Sequence, residues 1–196
     1  MKKGFTLVEL LIVIGLLGAI ALIVISAINP IEQANRARDT RFKADGGQLI
    51  SAIDRYFVGA SAFPWMTVDP AIETDDAYPF ITASTQGVGL CGATCAADGL
   101  LITTNELKTE FRNRDFLDTG TTVSEQIMVG KALGSSTSVY ACFVPLSKSV
   151  REKACADGKV YTLATSVRTA IAANDASCAA DSATWISGPQ YVCMPE

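Results

Sequence analysis

The chain has 196 residues, room for an anchor and one modest domain, since a single core takes on the order of 100 to 150 residues. Its net charge is −4 and its pI is near 4.9, which gives no general attraction for a phosphate backbone and argues against a nucleic-acid binder. Histidine is absent, so the commonest general base and the commonest zinc ligand are both missing and the usual nucleophile triad cannot be built.

Apolar residues make up 49% of the chain, and the excess is gathered at the N-terminus. From Phe5 to Ile28 the only charged residue is Glu9; as a helix this run is about 36 Å long, against a bilayer core of about 30 Å. Lys2 and Lys3 precede it, and the positive-inside bias keeps the N-terminus cytoplasmic and sends the rest of the chain across. A secretory signal peptide also starts basic and turns apolar, but its apolar region is shorter, and SAINPIEQ is a poor cleavage site. Gly15 and Ala19 form a small pair at i, i+4 that permits close helix contact. Asn29-Pro30 falls where the apolar run ends, and Pro30 has no N–H for the Ser26 carbonyl, so a kink is expected there.

Glu9 is the anomaly, because a carboxylate at the centre of a spanning helix costs about 2.5–3.5 kcal/mol on insertion scales. Either it lies close enough to the headgroups to stay wet or it has a partner. Its context, KKGFTLVELL, resembles the cleavage and methylation signal of the type IV pilin family, which includes the pseudopilins of type II secretion systems. The resemblance covers residues 1–30 and continues more loosely to about 64, through NPIEQANRARDTRFKADGGQLISAIDRYF and the following FPW. It implies that a prepilin peptidase cuts between Gly4 and Phe5, that the Phe5 amine is methylated, and that Glu9 meets the charged N-terminus of a neighbouring subunit. It also implies a leader at 1–4, a filament-core helix at 5–28, the second half of that helix at 29–60, and a globular head at 61–196.

Over residues 31–58, Glu32 with Arg36 and Asp39 with Lys43 stand at i, i+4, while Phe42, Leu49, Ile53, Tyr56 and Phe57 gather on one face that needs a cover. Arg36, Arg38, Arg41 and Lys43 are interleaved with acids and read as a solvated or inter-subunit face. Gly46-Gly47 weakens the helix and suggests a bend. ASAFPWMTVDPAIETDDAYPF reads as a loop, and its acids Glu73, Asp75 and Asp76 lack the pattern of an EF-hand. Thr103 and Glu106 suggest a capping box for a helix over 105–117, with Leu107 and Phe111 inward. SVYACFV, KVYTLATSV and QYVCMPE read as strands. The fold expected is α+β and pilin-like, a long helix packed on a small antiparallel sheet.

The six cysteines, Cys91, Cys95, Cys142, Cys155, Cys178 and Cys193, contain no CxxC pair and, outside the cytoplasm, read as disulfides. Neighbouring pairs close the shortest loops, which favours Cys91–Cys95, Cys142–Cys155 and Cys178–Cys193; the last resembles the C-terminal disulfide loop of many pilins. The expected function is a structural subunit of a type IV pilus or similar filament, with no catalysis, cofactor or metal. The resemblance names as partners other copies of the chain, prepilin peptidase, an inner-membrane assembly platform with minor pilins, and membrane lipid before assembly; nucleic acid is not expected. The protein would pass from a single-pass membrane form to a surface filament. A secretion pseudopilin is the first alternative, and a membrane-anchored extracellular binding protein the second.

Overall fold

The computed structural model describes residues 4–27, 29–68, 77–118, 122–134, 136–173 and 175–195. The chain falls into two compact units, residues 1–34 and 35–196. The first holds helix α1 (Leu7–Ala27) and the start of α2 (Pro30–Ala60). The Asn29 side chain accepts the Glu32 N–H at 3.2 Å and Pro30 occupies the first helical position, where its missing N–H costs nothing. α2 is thereby started afresh after the apolar run.

The second unit is an α+β head. Strands β1 (Tyr78–Thr82), β2 (Met128–Lys131), β3 (Val139–Phe143) and β6 (Val192–Met194) form an antiparallel sheet in the order β1-β2-β3-β6. Their alternation explains how the sheet is covered on two sides. Val139, Ala141 and Phe143 of β3 join Phe42, Leu49, Ala52, Ile53 and Tyr56 of α2 in one apolar cluster. Cys142 and the following Val144 point the other way, into a second cluster with Ala154, Cys155, Trp185 and Tyr191. That second layer is built by α5 (Lys148–Ala156), α6 (Ser182–Ser187) and the hairpin β4 (Tyr161–Ala164) and β5 (Val167–Ala170). Two short helices, α3 (Pro64–Val68) and α4 (Leu100–Thr103), fill the connections.

α2 runs without interruption through Gly46-Gly47. Gly46 is buried against the sheet, where a Cβ would collide with the Met194 methyl and stand 3.3 Å from the Ala141 Cβ; the glycine permits close approach. Asp39 does not sit on a solvated face beside Lys43. It is fully buried, pairs with Arg38 at 2.8 Å and accepts the backbone N–H groups of Leu146 and Ser147. Phe57 is 41% exposed but heads a stack in which Phe57, Phe63, Trp65 and Tyr78 follow at centroid spacings of 4.4, 4.6 and 4.6 Å. This stack ties the end of α2 to β1.

Several expectations are corrected. The stretch read as a loop contains α3 and runs into β1; Glu73, Asp75 and Asp76 lie outside the described residues. No α-helix forms over 105–117. Short 3-10 turns, Thr109–Asn113 and Asp115–Leu117, stand there, Thr103 bonds back to carbonyls of its own turn, and Glu106 takes Arg55 at 2.8 Å. The strand read over 159–167 is divided by a turn at Thr165-Ser166 into the hairpin β4–β5. Cys91 bonds Cys95 as the short loop suggested, but Cys142 bonds Cys193 and Cys155 bonds Cys178. The reason is register: Cys142 and Cys193 face each other on adjacent strands β3 and β6, a proximity created by sheet pairing and invisible to loop length.

Candidate functional site

α1 is long and apolar enough to cross a membrane, and none of its spanning residues, Leu7–Ile25, is buried by the rest of the described chain. Leu7, Leu10, Leu11, Ile14 and Leu17 all stand exposed. Apart from Glu9, the span Leu7–Ile25 consists of leucine, isoleucine, valine, glycine and alanine, which leave no polar side for water, so this surface demands lipid or other helices on all sides.

Glu9 lies in the first turn of this helix. Its Oε2 accepts the Thr6 backbone N–H at 2.9 Å and the Thr6 hydroxyl at 2.8 Å, while the Thr6 Oγ1 receives the Glu9 N–H at 3.3 Å. This reciprocal arrangement is a capping box: the carboxylate accepts the Thr6 N–H and the Thr6 hydroxyl the Glu9 N–H, two donors that a helix start leaves unpaired. The expectation of a partner for Glu9 named only another subunit, and Thr6 was missed. Its signal was present in the spacing T-x-x-E of Thr6-Leu7-Val8-Glu9. Both bonds converge on Oε2, and among the described residues Oε1 takes no hydrogen bond.

Gly4 and Phe5 precede the helix and are exposed. Gly15 and Ala19 lie within α1, also exposed, and a side chain added at Gly15 would meet nothing. Pro30 opens α2. These residues do not converge into a pocket; they lie before α1, within it and at the start of α2. The six cysteines lie in the head, all three pairs closed. Among the described residues, no group of three Cys, Asp or Glu side chains is placed to hold a metal ion.

Residues 1–25 match the family model for the prokaryotic N-terminal methylation motif. Neither a curated protein nor a solved structure matches the chain. The matched segment contains Gly4, Phe5, Thr6 and Glu9 and ends with the apolar helix, so motif and membrane-compatible surface are one and the same stretch. This chain therefore carries, ahead of an α+β, disulfide-bonded head, the N-terminal prepilin cleavage and methylation motif found in type IV pilins and pseudopilins.

Proposed function

We propose that the protein is a structural subunit of a type IV pilus or pilus-like filament, without catalytic activity of its own. The observation that carries this is the coincidence of the methylation motif with a helix whose whole apolar surface is uncovered. Before assembly that surface is solvated by lipid, with Lys2 and Lys3 on the cytoplasmic side and the head outside. Prepilin peptidase removes Met1–Gly4 and leaves a Phe5 amine, which is then methylated. In the filament, helices of other copies replace the lipid, with Gly15 and Ala19 allowing close approach. Residues 5–28 form the filament core, 29–60 lead to the head, and 61–196 coat the fibre.

Glu9 acts in assembly. Thr6 satisfies Oε2 within the chain, and the open Oε1 accepts the positively charged Phe5 amine of a neighbouring copy. In a dry core two such charges attract more strongly than in water, whereas either one left alone carries a large desolvation penalty. An inner-membrane platform and minor pilins supply the machinery.

Co-expression with and without a prepilin peptidase tests the reading. Loss of Met1–Gly4, followed by a methyl addition, is expected by intact-mass measurement only with the peptidase; an N-terminus left whole would refute it. Recovery of the chain as the main protein of sheared surface filaments supports a pilus. Filaments confined to the envelope, with loss of protein export on deletion, would instead assign a secretion pseudopilin.

A further inference from the structure

The hairpin β4–β5 turns at Thr165-Ser166, and Thr165 stands at φ 50°. A β-branched residue enters this left-handed region only when its surroundings hold it there. Here the Thr165 carbonyl accepts the Phe80 N–H of β1 at 2.7 Å, which fixes the turn against the main sheet. Beside that turn, the Arg168 guanidinium carbon lies 3.5 Å from the centroid of the Tyr140 ring and 4.5 Å from that of Tyr161. The rings satisfy the cation's face and leave its edge, where the N–H donors are, unused. Nη1 is shielded from solvent with no hydrogen-bond partner, and among the described residues Arg168 forms no ion pair.

Arg168 lines a cavity of about 360 Å³ together with Phe80, Ser136, Ser138, Tyr140 and Ser166. The wall carrying Ser136 and Ser138 is anchored from below. Lys131 is buried, and its ammonium donates to the Ala132 and Gly134 carbonyls and to the Thr137 hydroxyl at 3.2, 2.8 and 3.0 Å. A pinned loop, a strained turn and a stacked guanidinium thus set three sides of the cavity in advance, which lowers the entropy lost on binding.

We propose that this cavity binds a carboxylate-bearing pyranose, as found in the acidic sugar residues of polysaccharides and glycans. With Nη1 shielded, Nε and Nη2 form the edge of the planar guanidinium that matches a carboxylate through paired N–H donors. Serine hydroxyls at 136, 138 and 166 both donate and accept, as a ring of sugar hydroxyls requires. Phe80 adds an apolar wall for the C–H side of the ring. The volume is at the small end of the roughly 300–1,000 Å³ range of small-molecule sites, which suits one ring. The filament reading neither requires nor supplies this site.

The test is calorimetric titration of the full chain in detergent micelles with trigalacturonate, its methyl ester, sialyllactose, lactose and inorganic phosphate. Binding of trigalacturonate or sialyllactose is expected, and comparison of the two tells a plant-type polyuronate from a sialylated glycan. The methyl ester and lactose should bind at least about tenfold more weakly, because a hydrogen bond to a charged group is lost. Arg168→Gln should bring a similar loss, and Arg168→Lys, which keeps the charge without the planar fork, should do the same with near-ultraviolet circular dichroism unchanged. The ester comparison uses the unaltered protein and so does not depend on either variant folding. Equal binding of acid and ester, phosphate binding as tightly as the sugar acid, no binding of either acid at millimolar concentration, or full affinity in a folded Arg168→Gln would each overturn the proposal.

Discussion

Asp39, in the middle of α2, accepts the backbone N–H of Ser147 at 2.9 Å across 108 residues of chain, with no solvent reaching either residue. The same carboxylate takes the Leu146 N–H at 3.2 Å and Arg38 at 2.8 Å. One acid therefore satisfies two buried backbone donors at the entry to α5 and compensates a half-buried guanidinium. It fastens the second layer of the head to α2.

Asp39→Ala leaves those backbone donors without their acceptor and Arg38 with only the Val144 carbonyl at 3.2 Å, and should destabilise the head by about 3–5 kcal/mol, the range for breaking a buried pair. Asp39→Asn keeps one acceptor oxygen and should cost less. Urea denaturation followed by tryptophan fluorescence measures both, and equal midpoints for wild type and Asp39→Ala would show that the latch contributes nothing.

Burial pushes the Asp39 carboxyl above its ordinary value of 3.8, against the pull of the Ser147 and Leu146 N–H groups and Arg38, and burial likewise raises Asp45. In the window above 3.8 the folded chain then binds more protons than the unfolded one, so these two groups raise stability as pH falls from neutrality towards 3.8. Asp175 and Asp181 have the opposite sign. Hydrogen bonds from Ser177 and Thr184 hold them below 3.8, so their stabilisation is present above that value and is lost as pH falls further. The urea midpoint should thus rise on mild acidification and drop only in stronger acid, and Asp39→Asn with Asp45→Asn should flatten the rise. A midpoint that declines steadily from neutrality to about pH 4 would contradict this.

The two adjacent glycines of α2 should respond in opposite directions. Gly47 faces open space, so Gly47→Ala should stabilise by about 0.5–1 kcal/mol through helix propensity. Gly46→Ala drives a methyl into Met194 and should destabilise by about 1–3 kcal/mol despite the same propensity gain. Thermal melts of the two variants in parallel provide the measurement.

Peptide mapping without reduction should recover Cys142 with Cys193 and Cys155 with Cys178. The first pair closes a sequence separation of 51 and Cys91–Cys95 one of 4; the chain-entropy relation gives about 4 and about 2 kcal/mol respectively. Replacing both members of the longer pair by alanine should therefore lower the denaturation midpoint clearly more than replacing the shorter pair.

Thr6→Ala removes the capping box of α1 and should weaken its first turn by about 1 kcal/mol, accelerating amide exchange at Glu9 and Leu10 about fivefold in micelles, while Thr6→Ser does not. Glu9→Ala should leave membrane insertion intact and impair filament formation. A normal filament yield from Glu9→Ala would remove the assembly role proposed for this carboxylate.

The apolar run, the basic residues before it and the GFTLVE context were legible in the residues themselves, because a helix long and apolar enough to cross a membrane and a short sequence motif are local properties of composition and order. So were the inward face of Phe42, Leu49, Ile53 and Tyr56, and the strand character of 139–143 and 192–194, since each follows a short period. What only tertiary structure decided depends on residues brought together from far apart. Sheet register joined Cys142 to Cys193, the approach of Met194 explained Gly46, and a distant loop drew Asp39 inward. The stacking of Arg168 on Tyr140 and Tyr161 is of the same kind. Periodicity says which way a side chain points, but long-range packing chooses its neighbour.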